Sequence, residues 1–521
     1  MKWRQRISVT MRFSPISLCV ALASNVQAEP LFQPVDVPAN QYTGGWEHFV
    51  GGGLAVFDCD GDNRLDMFAA GGTAMPTLLH NTSVDSGAVS FEPLTVDALQ
   101  IDGSTGAYPL DIDSDGALDL VVMRVGPDLI LRGDNACNFT PMPLDGVTFK
   151  DQWTTAFSAT WEDGNAQPTM AFGHYVDRAD PNGPFEACDT NSLMRPDETG
   201  FRTTELTPGF CALSMLFSDW SRGGNSDLRI SNDRHYYVRG GAEQMWKMAP
   251  APRLFSDADG WIDHALWGMG IAARDLDRNG LADVFLSSMG DQRLQEWTGV
   301  GAAFKDVPFD RGAAAHRPYT GGDGRPSTGW HIAFGDVQND GFDDVFISKG
   351  NVQQMPGSAM DDPNNLLIQT EDGKFLEHGE TAGVASFHRA RGAALADFNN
   401  DGLLDLAVVN RVAPLEVYQN VSTQTGNWLA VQLRQIGPNT RAIGAWIEVL
   451  DDLGLQAREL TVGGGHAGGI AGPQHFGLDQ SAEVMLRVIW PDGTTSDWFN
   501  ALANQRLEIT RSGGDITVLP Y

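Results

Sequence analysis

An acidic loop of nine residues recurs five times along this chain of 521 residues, and each copy runs directly into a short apolar segment. Side chains that carry oxygen stand at positions 1, 3, 5 and 9 of every copy. Position 6 is Gly in four copies and Asn63 in the first, and these residue types most readily accept the left-handed backbone of a tight turn. The repeat therefore predicts a series of like units, each with one polar turn that leads into a strand. The copies begin at Asp58, Asp111, Asp275, Asp336 and Asp397.

Each of these loops offers the ligands that calcium prefers. Ca²⁺ binds six to eight oxygens at roughly 2.3 to 2.6 Å, and alternate side chains of a tightly wound loop can point at one centre, with the carbonyl of position 7 as a further ligand. An ordinary Asp/Asn/Gly turn is a reasonable explanation of one copy but a poor one of five aligned copies. We therefore predict about five structural Ca²⁺ sites, one in each loop. Their expected ligands are Asp58, Asp60, Asp62, Arg64, Asp66, Asp111, Asp113, Asp115, Ala117, Asp119, Asp275, Asp277, Asn279, Leu281, Asp283, Asp336, Gln338, Asp340, Phe342, Asp344, Asp397, Asn399, Asp401, Leu403 and Asp405.

The segments that follow the loops are predicted to be strands, because they are short, apolar and rich in Val, Phe and Leu. An EF-hand would instead require flanking helices and a bidentate acid at position 12, where the first loop has Ala69. The five segments cover residues 65–69, 118–123, 284–287, 345–348 and 406–409.

Two further loops have lost part of the pattern and fill the long gap between the second and third copies. One starts at Trp161 and lacks the acids at positions 1 and 9, and the other starts at Asp219 and lacks the acids at positions 3 and 5. Neither is predicted to bind calcium well. With them the chain has seven loop starts separated by 50 to 61 residues, a period that is typical of propeller blades.

A second strand signal supports a closed ring. Most units contain a later segment that begins with Phe, as at Phe91 and Phe304, but no such segment follows the seventh loop. The matching segment stands at the N-terminus, at Phe32, where it would complete the last blade and remove exposed sheet edges. We predict an all-β protein: a seven-bladed β-propeller over residues 29–425, closed by the N-terminal strand and followed by a small β-rich domain over residues 426–521.

These loops and strands resemble the FG-GAP repeats, also called VCBS repeats, of integrin alpha-subunit propellers. The tail, with Asn427-Trp-Leu-Ala-Val-Gln-Leu, Ala442-Ile-Gly-Ala-Trp, His475-Phe-Gly-Leu and Val488-Ile-Trp-Pro-Asp-Gly, resembles the ASPIC/UnbV domain. Together they are similar to a bacterial member of the cartilage acidic protein family. The resemblance implies an extracellular calcium-binding propeller whose biochemical activity is undefined. The two incomplete loops and Asn63 depart from the repeat pattern.

The N-terminus predicts export from the cytoplasm. Lys2, Arg4, Arg6 and Arg12 precede an apolar run over residues 16–23, and Ala28 is a small residue at the expected cleavage point. Residues 1–28 are thus predicted to be a cleaved signal peptide, and the product to be periplasmic or secreted. No other stretch approaches the roughly 20 apolar residues of a membrane-spanning helix.

The charge of the chain argues against two classes of partner. Removing the four basic residues of the signal peptide changes the formal net charge from −32 to −36. Such a surface repels nucleic acid and anionic lipid. Positions 1, 3, 5 and 9 of the five complete loops carry 17 carboxylates, which repel one another unless a cation is bound.

Four cysteines follow the signal peptide: Cys59, Cys137, Cys188 and Cys211. An even number in an oxidising compartment favours two disulfides, and three pairings are possible. Loops of an up-and-down blade alternate between the two faces of the ring. On that basis we favour Cys188 with Cys211 and, second, Cys59 with Cys137.

The sequence contains no established catalytic motif of the serine hydrolase, zinc protease or nucleotide-binding type. The glycine-rich segment Gly463–Gly469 is interpreted as a tight turn between strands of the tail, and the scattered histidines, among them His235, His264, His316, His331 and His388, as structural groups. Trp46, Trp267 and Trp330 are explained equally well by a sugar-binding platform and by packing. Two functions follow: a module that binds an extracellular or periplasmic protein or glycan, which we favour, or a propeller enzyme that acts on polysaccharide in the central funnel.

Overall fold

The computed structural model describes residues 28–162, 165–180, 187–233 and 241–521. Within these ranges the protein is all-β: it contains strands and four single-turn 3₁₀ helices but no α-helix. In the same ranges, no helix has the length and apolar character needed to cross a membrane. The predicted signal peptide lies outside the described residues, except for Ala28. The 3₁₀ helices are Trp46–His48, Asp97–Leu99, Asp257–Asp259 and Phe309–Arg311.

The first 28 strands of the described chain build the larger part of the molecule. In chain order they are β1 Phe32–Val35, β2 Leu54–Phe57, β3 Asp66–Ala69, β4 Thr77–Asn81, β5 Phe91–Leu94, β6 Ser104–Leu110, β7 Asp119–Gly126, β8 Leu129–Gly133, β9 Phe139–Pro141, β10 Gln152–Thr160, β11 Thr169–His174, β12 Asn191–Asp197, β13 Gly200–Leu206, β14 Ala212–Ser218, β15 Asp227–Asn232, β16 Gln244–Lys247, β17 Arg253–Leu254, β18 Gly268–Arg274, β19 Asp283–Ser288, β20 Arg293–Trp297, β21 Phe304–Asp306, β22 Gly329–Gly335, β23 Asp344–Lys349, β24 Asn365–Gln369, β25 Phe375–Glu377, β26 Arg389–Ala396, β27 Asp405–Arg411 and β28 Glu416–Asn420.

Consecutive strands form antiparallel units of four. The units are β2–β5, β6–β9, β10–β13, β14–β17, β18–β21, β22–β25 and β26–β28, and we number them 1 to 7. Units 2 and 3 are joined at one edge, where Gln152 and Trp153 pair with Gly126 and Val125. Strand β1 pairs antiparallel with β28, with Phe32 opposite Asn420, so the start of the described chain supplies the fourth strand of unit 7.

The units are arranged in a circuit. Each first strand (β2, β6, β10, β14, β18, β22 and β26) packs on the first strand of the next unit, and β26 packs on β2. Neighbouring units share an apolar core: Leu131 and Ala55 lie in the core between units 1 and 2, for example, and Val408 and Phe346 in the core between units 6 and 7. The strands are continuous apolar runs because both of their faces are covered. This arrangement is of the propeller type.

Eight of the nine remaining strands form two further sheets with a core of their own, and the ninth, Ile470–Ala471, pairs parallel with β2 of unit 1. One sheet has the order β33-β29-β36-β37 and the other the order β31-β30-β34-β35. Residues such as Leu429, Ile447, Phe476 and Val488 are buried between them. The strands are β29 Asn427–Gln435, β30 Trp446–Asp451, β31 Gly454–Glu459, β32 Ile470–Ala471, β33 Gln474–Asp479, β34 Glu483–Ile489, β35 Phe499–Leu502, β36 Gln505–Ser512 and β37 Asp515–Pro520.

Both cysteine pairs favoured from the sequence are disulfide-bonded in the structure. Cys188 is joined to Cys211, and Cys59, in the first acidic loop, is joined to Cys137. The second bond fixes the loop of unit 1 to the end of unit 2.

Candidate functional site

The five acidic loops share one backbone conformation. Positions 4 and 6 are left-handed in every copy, as for Asn339 (φ 58°) and Gly341 (φ 92°) in unit 6. The carboxylate of position 1 accepts a hydrogen bond from the N–H of position 6, as from Gly341 to Asp336 at 2.6 Å and from Gly402 to Asp397 at 2.9 Å. Position 6 therefore requires Gly or Asn, and Asn63 (φ 66°) meets that requirement in unit 1.

The acid at position 9 ties the loop to the sheet behind it. In unit 7 one carboxylate oxygen of Asp405 accepts from the N–H of Phe398, at position 2 (3.0 Å), and the other accepts from Asn420 in β28 (2.8 Å). Asp66, Asp119 and Asp344 make the same pair of contacts. These acids thus hold the loop in place even though they were predicted only as metal ligands.

The side chains at positions 1, 3 and 5 point into the concave side of the loop. Carboxylate oxygens of Asp58, Asp60 and Asp66 lie within 4.8 Å of one another, as do those of Asp111, Asp113 and Asp115. Position 7 contributes its N–H to the side chain of position 5, as from Leu403 to Asp401 at 2.8 Å. The structure therefore brings predicted ligand side chains together in the loops of units 1 and 2.

Four of the five loops contain a buried ligand oxygen with no hydrogen-bond partner among the described residues. These atoms are Asp113 Oδ1, Asp275 Oδ1, Gln338 Oε1 and Asn399 Oδ1. A buried acceptor without a donor is costly, and a cation bound in the loop would satisfy it. An all-oxygen donor set fits a hard cation such as Ca²⁺.

Protein partners compete for some of these acids: Asp113 in unit 2 pairs with Arg132 at 2.6 Å, and in unit 1 two acids are paired. Asp60 is 2.9 Å from His80 Nε2, and Asp62 is 2.7 Å from Arg64 Nη1. A cation in this loop would compete with both ion pairs.

Burial raises the pKa of the acids at positions 1 and 9, and neighbouring carboxylates of the same loop raise it further. Asp283, for example, has a pKa of about 8 because it is buried close to Asp277 and Asp275. The pKa is about 7 for four more of these acids: Asp66, Asp119, Asp275 and Asp397. The same burial raises the pKa of Asp336, Asp344 and Asp405. A bound cation would favour the charged forms and release these protons.

The two incomplete loops contain arginine ion pairs. In unit 3, Glu162 accepts two hydrogen bonds from Arg195, at 2.8 and 2.7 Å. Positions 3 and 4 of this loop, residues 163 and 164, lie outside the described residues. In unit 4, Arg222 at position 4 pairs with Glu448. A guanidinium thus provides positive charge beside each incomplete loop.

Position 4 connects the loops to the C-terminal sheets, a role that the sequence analysis missed. The left-handed backbone there turns the side chain outward in units 4 to 7. Arg278 Nη1 donates to Asp451 at 2.8 Å, and Asn339 Oδ1 is 2.7 Å from His475 Nε2. Arg222 and Asn400 contact Glu448 and Arg506 in the same way. The polar residues Arg, Arg, Asn and Asn at one loop position were the available signal.

A glycine-rich segment of the C-terminal part, residues 462–470, lies at the centre of the ring; we call it the central loop. It forms β-bridges with Ala159, Leu216, Ile271 and Ala107, each in the first strand of a different unit. The interpretation of Gly463–Gly469 as a tight turn within the tail is therefore corrected: the segment connects tail strands, but its backbone pairs with the ring. Three positions of this segment require glycine, because Gly465, Gly468 and Gly469 have ring atoms where a Cβ would stand.

His466, at the tip of the central loop, is fully buried. Its Nε2 accepts from Gly51 N–H at 3.1 Å, its Nδ1 lies 3.0 Å from the carbonyl of Met269, and its own N–H donates to His331 Nδ1 at 3.0 Å. Both imidazoles accept from backbone N–H groups, so both are neutral. Burial lowers the pKa of His466 to about 3 and that of His331 to about 4.

The other predicted aromatic and histidine positions are dispersed. Trp330 is buried in the ring, whereas 38% of Trp46 is exposed. His316 and His388 lie at the surface, and His264 is buried beside Gln295. His235 lies outside the described residues.

Residues 435–516 match the family model described as ASPIC and UnbV. The chain carries an ASPIC and UnbV domain. This domain includes the central loop and Glu448, Asp451, His475 and Arg506, so all the contacts with position 4 described above are made by the ASPIC and UnbV domain.

Curated relatives are similar over part of the chain. Cartilage acidic protein 1 from Homo sapiens is 32% identical over 122 residues, and the protein of that name from Mus musculus is 27% identical over 241 residues. The matches cover 23% and 43% of this chain but only 15% and 34% of those proteins. Among solved structures, YCF48 from Cyanidioschyzon merolae aligns with 75% of this chain and 99% of its own, with 10% identity and a TM-score of 0.41. A TM-score this low assigns neither fold nor function.

Proposed function

We propose that the protein is a calcium-stabilised, seven-bladed β-propeller that acts outside the cytoplasm as a module for binding a protein or glycan. The seven units packed in a circuit support the blade number. Two disulfides, which form and persist in oxidising compartments, support a periplasmic or secreted location.

The observation that carries the calcium assignment is the set of unpartnered buried oxygens in the loops of units 2, 5, 6 and 7. Each lies among further oxygens of the same loop, so one cation per loop would satisfy an acceptor that the chain leaves without a donor. The ion pairs of Asp60 and Asp62 make unit 1 the weakest of the five proposed sites.

The central loop favours binding over catalysis. An enzyme of the propeller type would use the central funnel, yet residues 462–470 occupy the axis from the side of the acidic loops. The ASPIC and UnbV domain contacts the acidic loops, and we assign the binding surface to the opposite face of the ring.

A pull-down on immobilised mature protein tests this function. Periplasmic and extracellular extracts are applied once with calcium and once with chelator, and a partner retained only with calcium is expected. Asp401→Asn removes one carboxylate from a proposed site and should weaken retention, whereas Asp372→Asn, which removes an exposed carboxylate outside the loops, should not. A partner retained equally with chelator would contradict a calcium-dependent module.

A further inference from the structure

Three arginines lie together at the strand ends of unit 7, on the ring face opposite the acidic loops. Arg389 and Arg391 begin β26, and Arg411 ends β27. Within the described part of the chain, none of the three forms an ion pair with a carboxylate. This is unexpected in a chain with a formal net charge of −32.

Arg391 is completely buried and is held by neutral groups. Its guanidinium donates to the carbonyls of Phe49, Ala390 and Val352 at 2.7 to 3.1 Å and lies 3.8 Å from the centre of the Trp330 ring. These contacts satisfy its N–H groups but leave its charge uncompensated. Burying such a charge is costly unless an anion is near.

Arg411 has donors that no described residue uses. Only 2% of the residue is exposed, and its Nη2 donates to the carbonyl of Gly44 at 2.7 Å. Its Nε and Nη1 are buried and have no hydrogen-bond partner. The Nε N–H and the Nη1 N–H groups point to different edges of the guanidinium, so each can donate separately to an anion such as a carboxylate or a sulfate.

A short segment lies over this arginine. The 3₁₀ helix Trp46–His48 follows Gly44, and the ring of Phe49 lies 4.8 Å from the Arg411 guanidinium carbon. The nearby acid Glu47 pairs with Arg178 at 2.6 Å and is therefore engaged elsewhere. Trp46 exposes 38% of its surface on this segment.

We propose that Arg389 and Arg411 bind the anionic group, a carboxylate or a sulfate, of an acidic glycan, with Trp46 as the ring on which a sugar stacks. This assignment rests on the proposed binding function and names its ligand class. Arg389 donates to the carbonyl and the side-chain oxygen of Gln353, which leave its charge uncompensated. An exposed tryptophan beside guanidinium groups that have no carboxylate partner favours a sugar with an acidic substituent over an acidic peptide, because a flat apolar ring packs on the face of a pyranose. Arg391 supplies positive potential behind the site.

Titration calorimetry on the calcium-loaded mature protein at 0.15 M salt tests the site. The probes are trigalacturonic acid, a sulfated galactose trisaccharide, uncharged galactotriose and triglutamate. We expect one or both acidic sugars to bind, and galactotriose and triglutamate to bind at least tenfold more weakly. Which acidic sugar binds distinguishes the carboxylate from the sulfate.

Two variants place the binding at the arginines. Arg411 is buried, so the variant Arg411→Gln requires a check of folding. Arg389 is half-buried, and the variant Arg389→Gln is expected to fold normally. Each substitution should weaken binding of the acidic sugar at least tenfold. Arg253→Gln replaces an exposed arginine of unit 4 and should leave this binding unchanged. The site is disproved if neither acidic sugar binds, if both variants retain full affinity, or if triglutamate binds as tightly. Retention of a calcium-dependent partner in the pull-down would then show that the binding function survives without this site.

Discussion

Two glycines of the ring make room for the central loop. A Cβ on Gly53 or on Gly106 would overlap the carbonyl of Ala467, and neither residue has a left-handed backbone that would by itself disfavour Ala. Gly53→Ala and Gly106→Ala should therefore each displace the loop and lower the free energy of unfolding by about 1–3 kcal/mol. Urea unfolding measures the change.

Gly357→Ala is the matched control for these substitutions. A Cβ at Gly357 would have no neighbour within 4 Å, so this variant should be as stable as the wild type or slightly more so. Equal stability of all three variants would show that the loop is not packed at the axis.

The neutral histidines at the axis predict a loss of stability in acid. The unfolded chain binds a proton at each near pH 6.5, whereas burial lowers the pKa of His466 to about 3 in the folded protein. The free energy of unfolding should therefore fall as pH drops from 6.5 to 4, by about 1.4 kcal/mol per pH unit for each such histidine. His466→Gln keeps a hydrogen-bonding side chain but removes this dependence.

Urea unfolding of the wild type and His466→Gln at several pH values between 7 and 4 isolates the contribution of His466. Other buried groups titrate in both proteins and cancel in the difference. We expect the difference in stability to change with pH below 6.5 and to be constant above it. A constant difference over the whole range would mean that the pKa of His466 is the same in the folded and the unfolded protein.

At the scale of the loop, position 4 should act as a docking contact. The side chains of Arg278 and Asp451 are only 11% and 0% exposed, and Arg278 Nη1 lies 2.8 Å from Asp451 Oδ1. Arg278→Gln and Asp451→Asn should each destabilise the protein, with a coupling of about 1–3 kcal/mol in a double-mutant cycle. The exposed pair Arg253 and Asp259 is the control, with an expected coupling below about 1 kcal/mol.

The positions and the turn conformation of these loops could be predicted from the sequence because the repeat itself displays them. The signal at position 4 was weaker, because the long polar side chains are confined to units 4 to 7, whereas units 1 and 2 have Gly61 and Ser114 there. The central loop was missed for a related reason: its glycines are typical of a turn, and only the approach of several first strands shows that small residues are required there. Periodic chemistry is visible in a sequence, whereas contacts between distant segments are not.

The arrangement of the whole molecule would link the proposed metal binding to domain docking. The loops that would hold calcium are the surface on which the ASPIC and UnbV domain lies, and the 17 carboxylates at positions 1, 3, 5 and 9 of these loops repel one another when no cation is bound. Calcium at a hundred times its dissociation constant would stabilise the folded state by about 2.7 kcal/mol per site. Chelation should therefore both lower the melting temperature and weaken docking.

Limited proteolysis distinguishes docking from general stability. Residues 421–426 connect β28 to the first strand of the C-terminal sheets, and Gly426 N–H is bound to the carbonyl of Gln338 in the loop of unit 6 at 3.0 Å. Loss of calcium from that loop should expose this connection, so cleavage there is expected in chelator well below the melting temperature and not in excess calcium. Magnesium should protect less, because it demands a stricter octahedral geometry. If melting and cleavage are both unchanged in excess chelator, the loops are held by their own hydrogen bonds and the link between calcium and docking does not exist.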